Sequence, residues 1–291
     1  MAALDTAANL PIELDTPVRR RRGLGIVFWA AVLWIALVVT LAIFADLLPL
    51  ADPFRQALLA RRAPPSLSHF LGTDALGRDI LARVIYGARA SLEIGVLAPL
   101  GATLLGTFLG MLSGYFRGTF ETLTIGGTDV LLAFPPLVLA LAIVAYLGQS
   151  VANVILVLAV LTVPAVTRVA RAATLAIRER EFVTAARALG AGPARILLRE
   201  ILPNIAPLLG AYFLLLIAII IVAEGILSFL GLGVPPPTPS WGSMIAEGRD
   251  SLDGAPHIAF IPAAAMFLTV LAFNLVGDTL RALTDPRHGP S

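Results

Sequence analysis

The chain alternates long apolar runs with short charged ones, and the lengths of the runs set the first expectation. A helix crossing the hydrocarbon core of a bilayer needs about 20 mostly apolar residues. Six windows meet that length: 24–44, ending before Asp46; 94–116, which carries no charge; two within the charge-free stretch 130–167; 205–223; and 258–276. Gly148, Gln149, Ser150 and Asn153 form a polar knot that marks the turn between the third and fourth. The pattern predicts an all-α integral membrane protein with six transmembrane helices.

Inside these windows a few residues stand out. Gly106, Gly110 and Gly114 recur every fourth position and share one helical face. Small residues at that spacing let two helix backbones approach closely in lipid. They predict a packed helix pair, within the chain or at a subunit seam, against the plain alternative that glycine is frequent in membrane helices. Pro135-Pro136 and Pro164 each remove a backbone donor and can bend their helices. Glu224 falls where the fifth span reaches the outer surface. An ionisable group there is a candidate for the translocation path or its gate, together with Ser228 and Phe229. The following Gly231 to Pro237 run cannot continue a helix, and irregular backbone at this depth has to be covered by protein or water.

The connections are just as informative. Segment 69–92 carries Asp74, Arg78, Asp79, Arg83 and Arg89 at near-helical spacing with Ile80, Leu81, Val84 and Ile85 between them, which predicts an amphipathic helix at the outer interface. Its charges either pair locally or help to receive an external protein. Segment 168–203 reads as helix, break, helix. Residues 181–189 are strong helix formers, Gly190 suits a left-handed stop, and Pro193 suits the first turn of a second short helix, which is expected to end at Pro203.

Composition sharpens the class. Hydrophobic residues make up 58% of the 291 positions and charged residues 14%, with a mean hydropathy of +0.88. Ordinary soluble domains carry about a quarter charged residues, so membrane is the expected solvent. All 21 basic residues are arginine. With the amino terminus inside, the segments 1–23, 117–128, 168–203 and 278–291 hold fourteen of them, in line with the positive-inside tendency. The loop 46–90 dissents with six arginines, against four Asp. The first 23 residues end in Arg19, Arg20, Arg21 and Arg22 before an apolar run too long for a cleaved signal, so an uncleaved first span is expected. Cysteine is absent, which excludes thiol chemistry, and the three histidines, His69, His257 and His288, show no ligand spacing. The net charge of +2 gives no reason to expect nucleic acid. Without lysine no phosphate-binding Gly-x-x-x-x-Gly-Lys loop can exist, so any ATP has to be handled by another chain.

Thr184-Ala185-Ala186-x-x-x-Gly190, followed by Ile201-Leu202-Pro203-Asn204, resembles the EAA loop of binding-protein-dependent ABC importer permeases. The family's leading Glu is Thr184 here, with Glu181 one turn earlier. Three more segments resemble the permeases for dipeptides, oligopeptides and nickel: HFLGTDALGRDILARVIYGARASL at 69–92, EGILSFLGLGVPPPTPSWGSMIAEGRD at 224–250 and NLVGDTLRALTDPR at 274–287. Together they span nearly all of the chain after residue 24.

The resemblance implies a type I importer permease fold. Its parts are a tail 1–23, an anchor helix 24–45, an extracytoplasmic loop 46–90 with the amphipathic helix, a core 91–280 containing the coupling loop 168–203, and a tail 281–291. It implies a non-catalytic subunit that binds no cofactor, ATP and Mg being held by two partner ATPase subunits. Those would dock on the loop through Thr184, Ala185, Ala186, Arg187, Gly190, Pro193, Arg195, Leu202 and Pro203. The other implied partners are a homologous permease, an extracytoplasmic solute-binding protein and the bilayer of a bacterial inner membrane, with both termini cytoplasmic. Peptides are the implied substrate, with nickel, glutathione or sugar as alternatives. A stand-alone secondary transporter or channel is the rival from another class. It calls for mid-membrane ionisable residues or interrupted repeats, and the six span centres are free of charge.

Overall fold

The computed structural model describes residues 25–284. The two tails, including Arg19 to Arg22 and the end of the 274–287 segment, lie outside the described residues. Among the described residues helices account for the architecture, the one bridge being Thr73 opposite Asp79. In chain order they are α1 (Ile26–Ile43), α2 (Ile80–Phe116), α3 (Gly118–Leu132), α4 (Pro136–Leu147), α5 (Val151–Arg178), α6 (Glu181–Ala188), α7 (Pro193–Arg195), α8 (Leu202–Phe229), α9 (Trp241–Gly248) and α10 (His257–Thr284). Among the described residues five rods are long and apolar enough to cross a membrane, and α3 with α4 forms a pair bent by 84° that brings the number to six when it is taken as one span. Six spans were expected, and the count is five, or six with the bent pair taken as one.

Their ends differ from the expected windows for physical reasons. The second span is a single helix of 37 residues, because Asp79 caps its first turn by accepting the Ala82 N–H at 2.9 Å. Residues 80–92 of the amphipathic stretch are therefore the first part of α2 and not a separate interfacial helix, and 69–79 precede it as irregular chain. The third span begins at Gly118 and breaks over Ala133 to Pro135, where Pro135 and Pro136 supply no N–H and the pre-proline residue is pushed out of the helical region. The polar knot behaves as read. Gly148 takes φ +87°, Ser150 caps α5 through the Asn153 N–H, and the Asn153 side chain donates to the carbonyls of Leu147 and Gly148 at 3.0 and 2.9 Å.

The centre of the bundle is α2 against α5. At Gly106, Gly110 and Gly114 the α2 backbone lies directly on Val166, Thr167, Ala170, Arg171 and Thr174 of α5. The close-packed pair is thus formed within this chain. Helix α8 packs between α2 and α10, and α1 lies on α10 and α2 with the Trp34 Nε1–H donating to Thr269 Oγ1 at 3.1 Å. One end of the bundle carries α6 and α7; the other carries α9 and the loop 46–79.

The α9 end is fastened by an ion cluster whose Asp74, Arg78 and Arg83 are buried and whose Glu247 is exposed. Arg78 pairs with Asp74 at 2.6 Å and Glu247 at 2.5 Å, and Arg83 reaches Glu247 at 3.1 Å and Asp74 at 3.5 Å. Local pairing is thus the fate of most charges in segment 69–92. The cluster joins the loop before α2, the first turn of α2 and α9. Arg83 is 1% exposed and has no hydrogen-bond partner for Nε or Nη1. Removing one member of a buried ion group costs about 3–5 kcal/mol because the partners stay desolvated. Arg83→Met is expected to lose stability in that range, read as a drop in the thermal unfolding midpoint in detergent. A change under about 1 kcal/mol would show that water reaches the cluster.

Candidate functional site

The helix–break–helix at one end of the bundle is built from backbone chemistry. Helix α6 buries one side chain, Val183, which sits in an apolar cluster with Met111, Ala170, Ile196, Ile201 and Ile205. The rest of α6 faces away from the bundle: Thr184, Ala185, Arg187 and Gly190 are exposed, Ala186 is half-buried, and Leu189 is 88% exposed. Gly190 takes φ +81° and closes α6 with a paired cap, its N–H donating to the Arg187 carbonyl and the Ala191 N–H to the Ala186 carbonyl, both at 3.0 Å. Arg187 lies over the Tyr115 ring at 5.9 Å. The Thr184 hydroxyl donates to the Arg180 carbonyl of its own helix at 3.4 Å, so this position presents no charge outward.

Pro193 opens the second helix as expected, but that helix does not end at Pro203. Residues Pro193–Phe229 form one 37-residue rod, with a π-type turn over Ile196–Ile201 between α7 and α8. A wider turn lets the chain pass a residue that cannot donate its i→i−4 bond, so Pro203 is absorbed inside the rod. Helix α7 is consequently continuous with a membrane helix, Leu202 half-buried and Pro203 exposed at the junction. Arg195 and Arg199 are exposed on the α7 side.

At the opposite end of α8 lies the second candidate group. Glu224 has no exposed surface. Its Oε1 accepts from the hydroxyls of Ser228 at 2.6 Å and Ser240 at 2.9 Å, while Oε2 has no hydrogen-bond partner. Gly225 and Gly242 meet backbone to backbone beside it, which leaves no room for a side chain. Glu224 and Ser228 are therefore brought together as a tie between α8 and the start of α9. Phe229 points elsewhere, 46% exposed under Arg249 at 5.6 Å. The Gly231 to Pro237 loop folds back on α8, with Gly233 against Ser228, and Gln149 Nε2 donates to the Gly231 carbonyl at 2.5 Å.

Several residues of this end were not legible in the sequence. Ser240 caps α9 through Ser243, Trp241 donates from its backbone to Ser91 Oγ at 3.1 Å and from its indole to the Val84 carbonyl at 3.0 Å, and Glu247 completes the ion cluster. The partners of Trp241 and Glu247 lie 150 or more positions away, and a single chain carries no periodic signal for such pairs.

Comparison with known proteins agrees with this geometry. The model of the family described as "Binding-protein-dependent transport system inner membrane component" matches residues 106–289. The glutathione transport system permease protein GsiD of Pectobacterium atrosepticum is 40% identical over 288 residues, covering 96% of both chains. The GsiD of Escherichia coli O1:K1 is 46% identical over 223 residues, covering 77% of this chain and 74% of that one. Among solved structures, the inward-facing MetNI methionine ABC transporter aligns at TM-score 0.59 and 17% identity over 69% of this chain and 96% of its own. An amino acid ABC transporter aligns at 0.52 and 20% over 70% and 94%. At those identities the structures speak for the fold alone, a type I importer permease. The chain belongs to the binding-protein-dependent transport system inner membrane component family, and it is the permease subunit of an ABC importer.

Proposed function

We propose that the chain forms half of the translocation pathway of an importer for short peptides, with the α6 end in the cytoplasm. The observation that carries this reading is the continuity of the exposed α6–Gly190–α7 element with α8 through the π-type turn. A push on α6 or α7 from a docked subunit is delivered to a rod that reaches the far side of the membrane. Two ATPase subunits hold ATP and Mg and supply that push, a homologous permease completes the path, and an extracytoplasmic binding protein delivers the substrate at the α9 end. The exposed Arg187, Arg195 and Arg199 supply charge to the docking face, and the arginine excess of 168–203 favours the cytoplasmic side for it. Both termini then lie inside.

For the substrate, the relatives named as glutathione permeases support a peptide of two or three residues, and glutathione is the first to try. Nickel or a sugar has no support from the side chains described. The test is uptake of radiolabelled glutathione and dialanine into proteoliposomes carrying the four-subunit complex, loaded with ATP and given binding protein outside. ATP-dependent accumulation of at least one of them is expected. Equal accumulation without the ATPase subunits would end the reading in favour of a stand-alone transporter.

A further inference from the structure

A cavity of about 380 Å³ opens at the α9 end between five parts of the chain that are distant in sequence. Its charged lining comes from Asp46 after α1 and from Arg89 and Glu93 on α2, and its walls include Phe54, Tyr86 and Thr238. The volume falls within the range of small-molecule sites, which run from about 300 to 1,000 Å³.

Two of the three charges are already engaged. The Arg89 guanidinium donates through Nε to the Ala42 carbonyl and through Nη2 to the Ile43 carbonyl and Asp46, at 2.5, 3.1 and 2.8 Å, so it fastens the end of α1 and its charge is matched by Asp46. Asp46 also accepts from the Tyr86 hydroxyl at 2.8 Å, and these two partners hold its carboxyl below the usual carboxylate range, that of Arg89 most. The third charge is unmatched. Glu93 is exposed and has no hydrogen-bond or ion-pair partner among the described residues. It stands one residue before the charge-free run 94–116, which at about 1.5 Å per residue is already long enough to fill the hydrocarbon. Glu93 is thereby at the outer edge of the membrane, where water and solute reach it. The cavity as a whole holds two carboxylates and one guanidinium, a net single negative charge.

We propose that this cavity is a receiving site for a primary ammonium, with Glu93 as its counter-charge, and that it takes the free amino end of the short peptide on the way to the membrane path. The identity of the amine's owner rests on the short-peptide reading; the ammonium specificity rests on the cavity alone. Because the Arg89 charge is matched by Asp46 while that of Glu93 is unmatched, the site reads the amino end of the peptide and not its carboxyl end. A peptide acetylated at its amino group is rejected, while one amidated at its carboxyl is accepted.

The absence of cysteine from this chain permits a direct test. Thr238→Cys, exposed on the rim, is introduced into the complete four-subunit transporter in proteoliposomes, and labelling is read on this chain. A cationic ethylammonium methanethiosulfonate is expected to react up to about 30-fold faster than its anionic sulfonate counterpart, since the two differ by two unit charges and each is worth about 1 kcal/mol at close range in a wet site. Adding E93Q is expected to abolish that preference, and millimolar dialanine or dialanine amide is expected to slow labelling where N-acetyldialanine does not. Equal rates for the two reagents with Glu93 present, or protection by the acetylated peptide as good as that by dialanine, would overturn the proposal. Should uptake of every peptide fail while the charge preference and dialanine protection persist, the ammonium site stands and the import reading falls.

Discussion

A transporter carrying Gly190→Val is expected to insert and assemble normally but to lose substrate uptake by about 5- to 30-fold. Gly190 holds φ +81° at the cap of α6, and a side chain built there meets nothing within 4 Å. The whole penalty is therefore backbone strain. A left-handed conformation costs an ordinary L-residue about 1–2 kcal/mol, and a β-branched one tolerates it worst. One or two kcal/mol shifts a two-state equilibrium by about 5- to 30-fold, here between the closed cap and an unwound one. Relief of the strain breaks the bonds from Gly190 to Arg187 and from Ala191 to Ala186, and α6 loses its fixed angle to the α7–α8 rod. The bundle is untouched, because Val183 is the side chain that α6 buries in it. Gly190→Asn is the control: asparagine enters the left-handed region readily, so uptake stays close to that of the natural protein. Measured together, ATP hydrolysis and uptake should separate in the valine variant and stay linked in the asparagine one. Full uptake with valine would place the coupling turn elsewhere.

How much of this was legible before the structure depended on whether a feature is set by local chemistry. The long apolar helices followed from run length, and the Gly190–Pro193 break from two residues with fixed backbone habits. Helix ends were less legible. The start of α2 at Ile80 was hidden because Arg83, Arg89 and Glu93 look like a surface stretch, yet Arg83 is covered by Asp74 and Glu247 from elsewhere in the chain. Pro203 looked like a terminator, and the wide turn that accommodates it leaves no mark in the sequence. Glu224 was recognisable as an ionisable group at a helix end. Its enclosure is supplied by Ser240 and Gly242 from the following loop, so its burial could not be inferred from the apolar run that holds it. The depth of a charge follows from what folds over it.

The glycine row of α2 yields the second large effect, and it decides between the two readings of that row. A methyl group added at Gly110 would meet the Thr167 carbonyl oxygen at 2.5 Å, the Ala170 Cβ at 2.7 Å and the Arg171 nitrogen at 2.9 Å. Two of these are backbone atoms of α5, which no rotamer change can move. Gly110→Ala therefore has to separate the central helix pair, and overpacking of this kind costs about 1–3 kcal/mol, with the rigid neighbours placing it toward the upper end. Gly101 on the same helix is the comparison, since its added methyl meets the Ala159 Cβ at 3.7 Å, an ordinary contact. Gly101→Ala is expected to change stability by less than about 0.5 kcal/mol or to raise it through helix propensity. Thermal unfolding of the chain in detergent, with and without its partner permease, reads both. Because the seam lies between α2 and α5 of one chain, the Gly110→Ala loss should be as large without the partner as with it. A loss appearing only in the assembled complex would move the glycine row to the subunit interface.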